Sequence, residues 1–249
     1  MVKKLPGIVY SLFLWILVLV SIFILFPVFV LIWAITASFD TSLKILHAYS
    51  GFWASLYYYL NPFWKIEIRG REHLPQKEPC VYVANHQSYE DILALYAIFK
   101  QYKWVSKAEN FKLPVFGWVM YFNRYIKLER GSKKGVLRML KTAQDNLEKG
   151  SSIMIFPEGT RTSDGEIKRF KTGAFFLALD KNVPIVPIVL YGTSGRLIDK
   201  NAMIKGAHRV ILQILPPFDL SSQRYRDEKE FAEQVREEMK NALQKIKNE

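Results

Sequence analysis

Asn85, His86, Gln87, Ser88, Tyr89, Glu90 and Asp91 follow directly on the apolar run 81–84. A histidine with a carboxylate five positions on can serve as a general base and its orienter. The carboxylate fixes the tautomer by holding one ring nitrogen, leaves the other to accept a hydroxyl proton, and stabilises the imidazolium that forms. The nucleophile in such chemistry can belong to the substrate.

On one regular helix five residues advance about 500°, so His86 and Asp91 would point about 140° apart. They meet if His86 lies on the turn after a strand and Ser88 caps the next helix, with Asp91 in its first turn facing back. Plain capping is the competing reading. Ser88 with Asp91 is close to a capping box, and a first-turn carboxylate suits a helix dipole without catalysis.

A second constellation, Phe156, Pro157, Glu158, Gly159, Thr160, Arg161 and Thr162, again follows an apolar run and enters a glycine-containing turn. Arg161 can hold a phosphate bidentately, while Glu158 accepts from a glycerol hydroxyl or orients a neighbour. Taken alone, the segment is equally a surface turn with an ion pair. Around it stand Lys107 with Lys112, Pro114 and Gly117, then IKLER at 126–130, then Phe170, Lys171, Thr172, Gly173 and Ala174, and VPIVP at 183–187.

Runs rich in β-branched and aromatic residues at 64–68, 80–84, 104–106, 124–128, 152–156, 184–190 and 209–215 predict strands. Helical spacing at 91–99, 132–148 and 172–179 falls between them, with Ser132 placed as an N-cap. Alternation of this kind implies an α/β fold, a mostly parallel or mixed sheet flanked by helices. The tail, 224–249, carries Phe231, Val235, Met239, Ala242, Leu243 and Ile246 at spacings of three and four, which predicts an amphipathic helix closing over the core.

From 8 to 39 no charged residue appears, and the apolar residues lie all round rather than on one stripe. One bilayer crossing needs about 20 residues, so the run is long for one helix and short for two. Pro27 lies inside it as a natural break. Beyond Asp40, Leu43, Ile45, Phe52, Trp53 and Tyr57 suit a helix at headgroup level, which Asn61 and Pro62 close. Lys3 and Lys4 favour a cytoplasmic N-terminus, and a single crossing would strand the rest of the chain away from a cytosolic thioester. The expectation is therefore a hydrophobic two-helix membrane anchor over 1–62, re-entrant or within one leaflet, followed by an α/β catalytic domain over 63–249.

Of the net charge of +12, nine fall between Lys100 and Lys171. Such a stretch beside hydrophobic sequence suits anionic membrane lipids or a phosphate-bearing substrate, and no nucleic-acid module accompanies it. Cys80 is the only cysteine, which excludes an intrachain disulfide and a thiolate zinc cluster. A P-loop, GxSxG and HExxH are all absent, against nucleotide hydrolysis, a serine hydrolase and a zinc protease.

In order and spacing, NHQSYED, IKLER, FPEGTR and VPIVP resemble the four blocks of the glycerolipid acyltransferase family, in its 1-acylglycerol-3-phosphate acyltransferase branch. The resemblance covers about 66–192. It implies transfer of a fatty acyl group from acyl-CoA or acyl-carrier protein to the sn-2 hydroxyl of lysophosphatidic acid, giving phosphatidic acid, on the cytoplasmic face of the cell membrane. It implies no metal and no cofactor beyond the acyl donor. By the same resemblance His86 is the general base and Asp91 its partner. Lys107, Arg130, Glu158, Gly159, Thr160 and Arg161 shape the site for the acceptor's phosphate and glycerol, with Lys103 and Lys112 as rivals to Lys107. Lys127, Leu128 and Glu129 depart from the family's commoner wording before Arg130. The same pair would also serve another lysophospholipid or glycerol 3-phosphate.

Overall fold

The protein, seen in a computed structural model, is described over residues 5–61, 64–76, 79–162, 164–194, 208–220 and 225–249. Lys3, Lys4, Pro62 and Arg224 lie outside these.

Helix α1 (Leu5–Thr36) runs on as one helix through Pro27, so the break into two helices expected there does not form. Pro27 is exposed on the helix surface, and the helix continues past the backbone donor it lacks. Among the described residues α1 is the one helix long and apolar enough to cross a membrane, with only 6% of its most apolar window buried. This corrects the expected two-helix hydrophobic anchor. Helix α2 (Lys44–Tyr59) turns Leu46, His47, Ser50, Trp53, Ala54 and Tyr58 inward, the three-to-four spacing of a helix docked on protein.

Polar contacts fix that docking. His47 Nε2 lies 3.0 Å from the Lys100 carbonyl and must donate to it, so Nδ1 accepts from the Tyr125 hydroxyl at 2.9 Å. Tyr125 in turn lies 2.7 Å from the Tyr96 hydroxyl. Burial pushes the His47 pKa down to about 3, helped by the charge of Lys103.

The strands are β1 (Trp64–Arg69), β2 (Val81–Ala84), β3 (Tyr102–Lys107), β4 (Ile126–Leu128), β5 (Ser152–Ile155), β6 (Ile185–Tyr191) and β7 (His208–Ile214). Among the described residues they form one seven-stranded sheet in the order β1-β7-β6-β2-β5-β3-β4. Only β6 and β7 pair antiparallel; β1 joins β7 with Trp64 opposite His208. The sheet is therefore mixed, and β6, β2, β5, β3 and β4 all end on one edge.

Both faces are covered, as a largely parallel sheet requires. Alternate residues of β2 go to opposite cores: Tyr82 and Ala84 join Tyr58, Leu95 and Trp104, while Val81 and Val83 join Phe175, Phe231 and Met239. The first face lies under α2 and α3 (Glu90–Tyr96). The second lies under α5 (Lys133–Glu148), α6 (Gly173–Lys181) and α7 (Glu228–Lys247). Ser132 does cap α5, its hydroxyl accepting from Gly135 N–H at 3.1 Å. Helix α7 docks through Phe231, Val235, Met239, Leu243 and Ile246, the spacing legible beforehand.

Candidate active site

The polar residues that leave β2 are held from three sides. Asn85 exchanges two hydrogen bonds with Leu190 of β6, its Nδ2 donating to the carbonyl at 2.9 Å and its Oδ1 accepting the N–H at 2.7 Å. That pairing extends the β2–β6 ladder by a side chain, so the chain leaves the sheet in a fixed direction.

His86 comes next, on the turn rather than on a helix, and α3 begins only at Glu90. This solves the angular problem of a five-residue spacing. His86 Nδ1 stands 2.7 Å from Asp91 Oδ2. The same oxygen accepts from Gln87 N–H at 2.6 Å and Ser88 N–H at 2.8 Å. An oxygen taking three donors is a carboxylate oxygen, so the proton sits on Nδ1 and the Nε2 lone pair is left to accept. Among the described residues Nε2 has no hydrogen-bond partner. The His86 side chain is 15% exposed while that of Asp91 is wholly buried, so the imidazole reaches solvent and the carboxylate that holds it does not.

The same stretch carries capping-like contacts, although the N-cap position itself falls on Tyr89, which makes no side-chain cap hydrogen bond. Asp91 reaches back to the Ser88 N–H as a capping box does, and Ser88 Oγ accepts from Glu90 N–H at 3.3 Å. The carboxylate that organises the turn also holds the imidazole.

The segment after β5 clamps the His86 backbone. Glu158 Oε1 accepts from His86 N–H at 2.9 Å and Oε2 from Lys168 N–H at 3.0 Å. Thr162 N–H donates to the His86 carbonyl at 2.9 Å. Burial raises the Glu158 pKa above the ordinary carboxylate value, opposed by those two backbone donors. Glu158 is thus tied to the backbone on both sides. Gly159 has φ +71°, a left-handed conformation that favours glycine, and the atoms a Cβ there would meet are those of the flexible Lys171 side chain, at 2.8 Å. Thr160 and Arg161 are exposed beyond it. The Arg161 guanidinium lies over the Tyr89 ring, 3.9 Å from its centroid, which pre-sets it beside the His86 turn.

Lys107 ends β3 and Arg130 follows β4, so both share this edge of the sheet, two and three strands from β2. Lys107 pairs with Glu109 at 3.3 Å, and both Lys107 and Arg130 draw the Glu109 carboxyl downward, behind a larger effect of its own backbone N–H. Among the described residues no hydrogen bond or ion pair joins either cation to His86 or Asp91. Lys103, the rival to Lys107, is buried and donates to the carbonyls of Ser42 at 2.7 Å and Asn123 at 2.9 Å, a structural position. Among the described residues no three His, Cys, Asp or Glu side chains come together as a metal site would require.

Sequence reasoning missed two neighbours. The His86 ring stacks on Phe156, and Trp104 stacks behind Phe156 with centroids 5.5 Å apart. Beside the dyad, Tyr58 of α2 donates to the buried Glu90 Oε1 at 2.9 Å. Phe156 and Glu90 both stand inside the motifs, but nothing in spacing tells which ring or hydroxyl they meet.

A carboxylate-held imidazole thus stands at the ends of the parallel strands, with an arginine over a ring of the same turn. The family model described as Acyltransferase matches residues 65–191, and the chain belongs to that family. It is 43% identical over 151 residues to a chloroplastic 1-acyl-sn-glycerol-3-phosphate acyltransferase of Brassica napus, covering 60% of this chain and 43% of that protein. It is 34% identical over 187 residues to the 1-acyl-sn-glycerol-3-phosphate acyltransferase of Saccharomyces cerevisiae, covering 73% of this chain and 60% of that one. The match thus spans less than two thirds of either relative. A crystal structure of the 1-acyl-sn-glycerophosphate (LPA) acyltransferase PlsC from Thermotoga maritima shares the fold, with a TM-score of 0.80, 24% identity, and 99% of this chain and 98% of that chain covered.

Proposed function

We propose that this chain transfers a fatty acyl group from acyl-CoA or acyl-carrier protein to the sn-2 hydroxyl of lysophosphatidic acid, forming phosphatidic acid. The observation that carries the reading is the 2.7 Å contact of His86 Nδ1 with an Asp91 oxygen already fixed by two backbone N–H groups. His86 Nε2 takes the hydroxyl proton as the oxygen attacks the thioester carbonyl. The tetrahedral oxyanion collapses, the C–S bond breaks, and Nε2 returns the proton to the departing thiolate. Asp91 holds the imidazolium between these steps. Glu158 positions the His86 backbone, Gly159 and Thr160 shape the turn, and Arg161, with Lys107 and Arg130 along the same edge, receives the acceptor's phosphate.

In this reading residues 1–62 hold the α/β domain of 63–249 on the cytoplasmic face of the cell membrane, with α1 inside one leaflet. Contacts along α1 support that placement. Tyr10 donates to Asn61 at 2.7 Å, Leu14 joins the core of the α/β unit, Ser21 lies 2.7 Å from the Tyr57 hydroxyl, and Trp33 meets Phe122 with centroids 4.8 Å apart. The apolar stretch is about 42 Å long at 1.5 Å per residue, against about 30 Å of hydrocarbon. Standing upright, it would drag α2 and charged parts of the domain across the bilayer. Lying in one leaflet, it buries its exposed faces in lipid and leaves the strand ends at the surface.

The test is purified protein in vesicles containing lysophosphatidic acid, with acyl-CoA and acyl-carrier protein supplied separately and glycerol 3-phosphate as a rival acceptor. Phosphatidic acid formed by the wild type and not by His86→Ala is the expected result. Undiminished formation by His86→Ala overturns the mechanism, and preference for glycerol 3-phosphate overturns the acceptor.

A further inference from the structure

Between β3 and β4 lies α4 (Phe116–Phe122), a helix without a single polar residue whose one buried position is Gly117. The reason is backbone packing. A Cβ at Gly117 would stand 2.3 Å from the Phe111 carbonyl oxygen, so α4 is pressed backbone-first onto the preceding turn; Val119, Met120 and Phe122 pack inward, while Phe116, Trp118 and Tyr121 stay exposed. Val115, a β-branched residue at φ 60°, forms the strained entry that presents it. Leu113, Phe116, Trp118 and Tyr121 are left about half or more exposed. Such a patch on a water-soluble surface marks a site of contact.

What covers it follows from its neighbour. The Trp118 ring meets Phe26 of α1 with centroids 5.7 Å apart, and Phe122 meets Phe29 at 6.0 Å. An apolar cleft of about 470 Å³ between the two helices makes one continuous surface of them. The flanking charges are cationic. Lys112 is exposed, and exposed Lys127 holds its ammonium 5.0 Å from the Phe111 ring and 5.6 Å from that of Tyr121. Trp and Tyr beside lysine are the residues that settle at headgroup level.

We infer that the α4 face of Leu113, Phe116, Trp118 and Tyr121 is a second membrane-seating surface, inserted beside α1 into the headgroup layer of an anionic leaflet. It rests on the reading of α1 as a one-leaflet anchor and deepens it: two points of contact fix the tilt of the domain where one helix would leave it free to swing. Because the segment begins where β3 ends, at Lys107, its insertion sets the height of the active edge of the sheet.

An environment-sensitive fluorophore on single introduced thiols tests this. Cys80 is buried, with its pKa pushed up to about 11, and does not compete for label. Labels go at Leu113→Cys and Phe116→Cys on α4, at Leu19→Cys on the exposed side of α1, and at Glu238→Cys on the solvent side of α7. Full-length protein is mixed with phosphatidylcholine vesicles with and without phosphatidylglycerol. The expected result is a blue shift and brighter emission at 113, 116 and 19, none at 238, with Lys112→Ala and Lys127→Ala each weakening the α4 response on anionic vesicles about fivefold. A response at 19 with none at 113 or 116 overturns the inference and leaves the anchor standing. Silence at all positions overturns both, and an equal response at 238 shows general adsorption and overturns the α4 surface.

Discussion

The His86 imidazole lies flat on the Phe156 ring, with centroids 3.9 Å apart and planes 12° from parallel. A residue at the end of β5 therefore sets the orientation of a base at the end of β2. Phe156→Ala removes that support while sparing every hydrogen bond of the dyad. The expected outcome is kcat lowered about fivefold, from an aromatic pairing of roughly 1 kcal/mol, with the acceptor KM nearly unchanged.

Asp91→Asn is the sharper test of the dyad than Asp91→Ala, which would leave the N–H groups of Gln87 and Ser88 unpaired and confuse folding with chemistry. The amide keeps an acceptor for those donors but no longer stabilises an imidazolium. Initial rates should fall roughly 10³- to 10⁴-fold with the circular dichroism spectrum intact. A loss below tenfold would contradict the assigned role.

Glu158→Gln places an NH₂ where one of two backbone N–H groups now donates. One donor is left unsatisfied, at about 1–3 kcal/mol. Thermal midpoint and kcat should both drop, because the clamp on His86 loosens, and KM should move less than kcat.

Arg161→Ala should raise the acceptor's KM with kcat little changed, as a phosphate contact made in ground and transition states alike is lost. Tyr89→Leu, which removes the ring under the guanidinium, should reproduce a part of that rise, about two- to fivefold, in the same steady-state assay.

His47 gives a stability prediction with a definite sign. Its folded pKa of about 3 lies below the ordinary 6.5, so the unfolded chain takes a proton that the fold refuses. Its stabilisation is complete above pH 6.5 and is lost as pH falls toward 3, at up to about 1.4 kcal/mol per unit. His47→Gln can still donate to the Lys100 carbonyl and accept from Tyr125. Urea midpoints of the variant should depend less on pH in that window than those of the wild type.

Strands were legible because β-branched runs bounded by polar residues stand out even when buried on both faces, and α5 and α7 because their caps and three-to-four spacing agree. Helix α4 was not, since seven apolar residues carry neither stripe nor cap, and its shape comes from Gly117 against Phe111. Pro27 misled because a proline inside an apolar helix removes one backbone donor without always ending the helix. At the site, the His86 and Asp91 types and spacing pointed to a dyad, whereas the Phe156 stack and the Tyr58–Glu90 hydrogen bond join residues far apart in the chain and leave no local trace.

Trp64 pairs with His208, so the first strand of the sheet waits for a partner about 140 residues downstream. At roughly 5–20 residues per second, the ribosome needs on the order of ten seconds or more to deliver it. Helix α1 precedes both strands and is available to meet lipid throughout that interval. On the one-leaflet reading of α1, the order of synthesis lets that helix meet lipid before the sheet is complete.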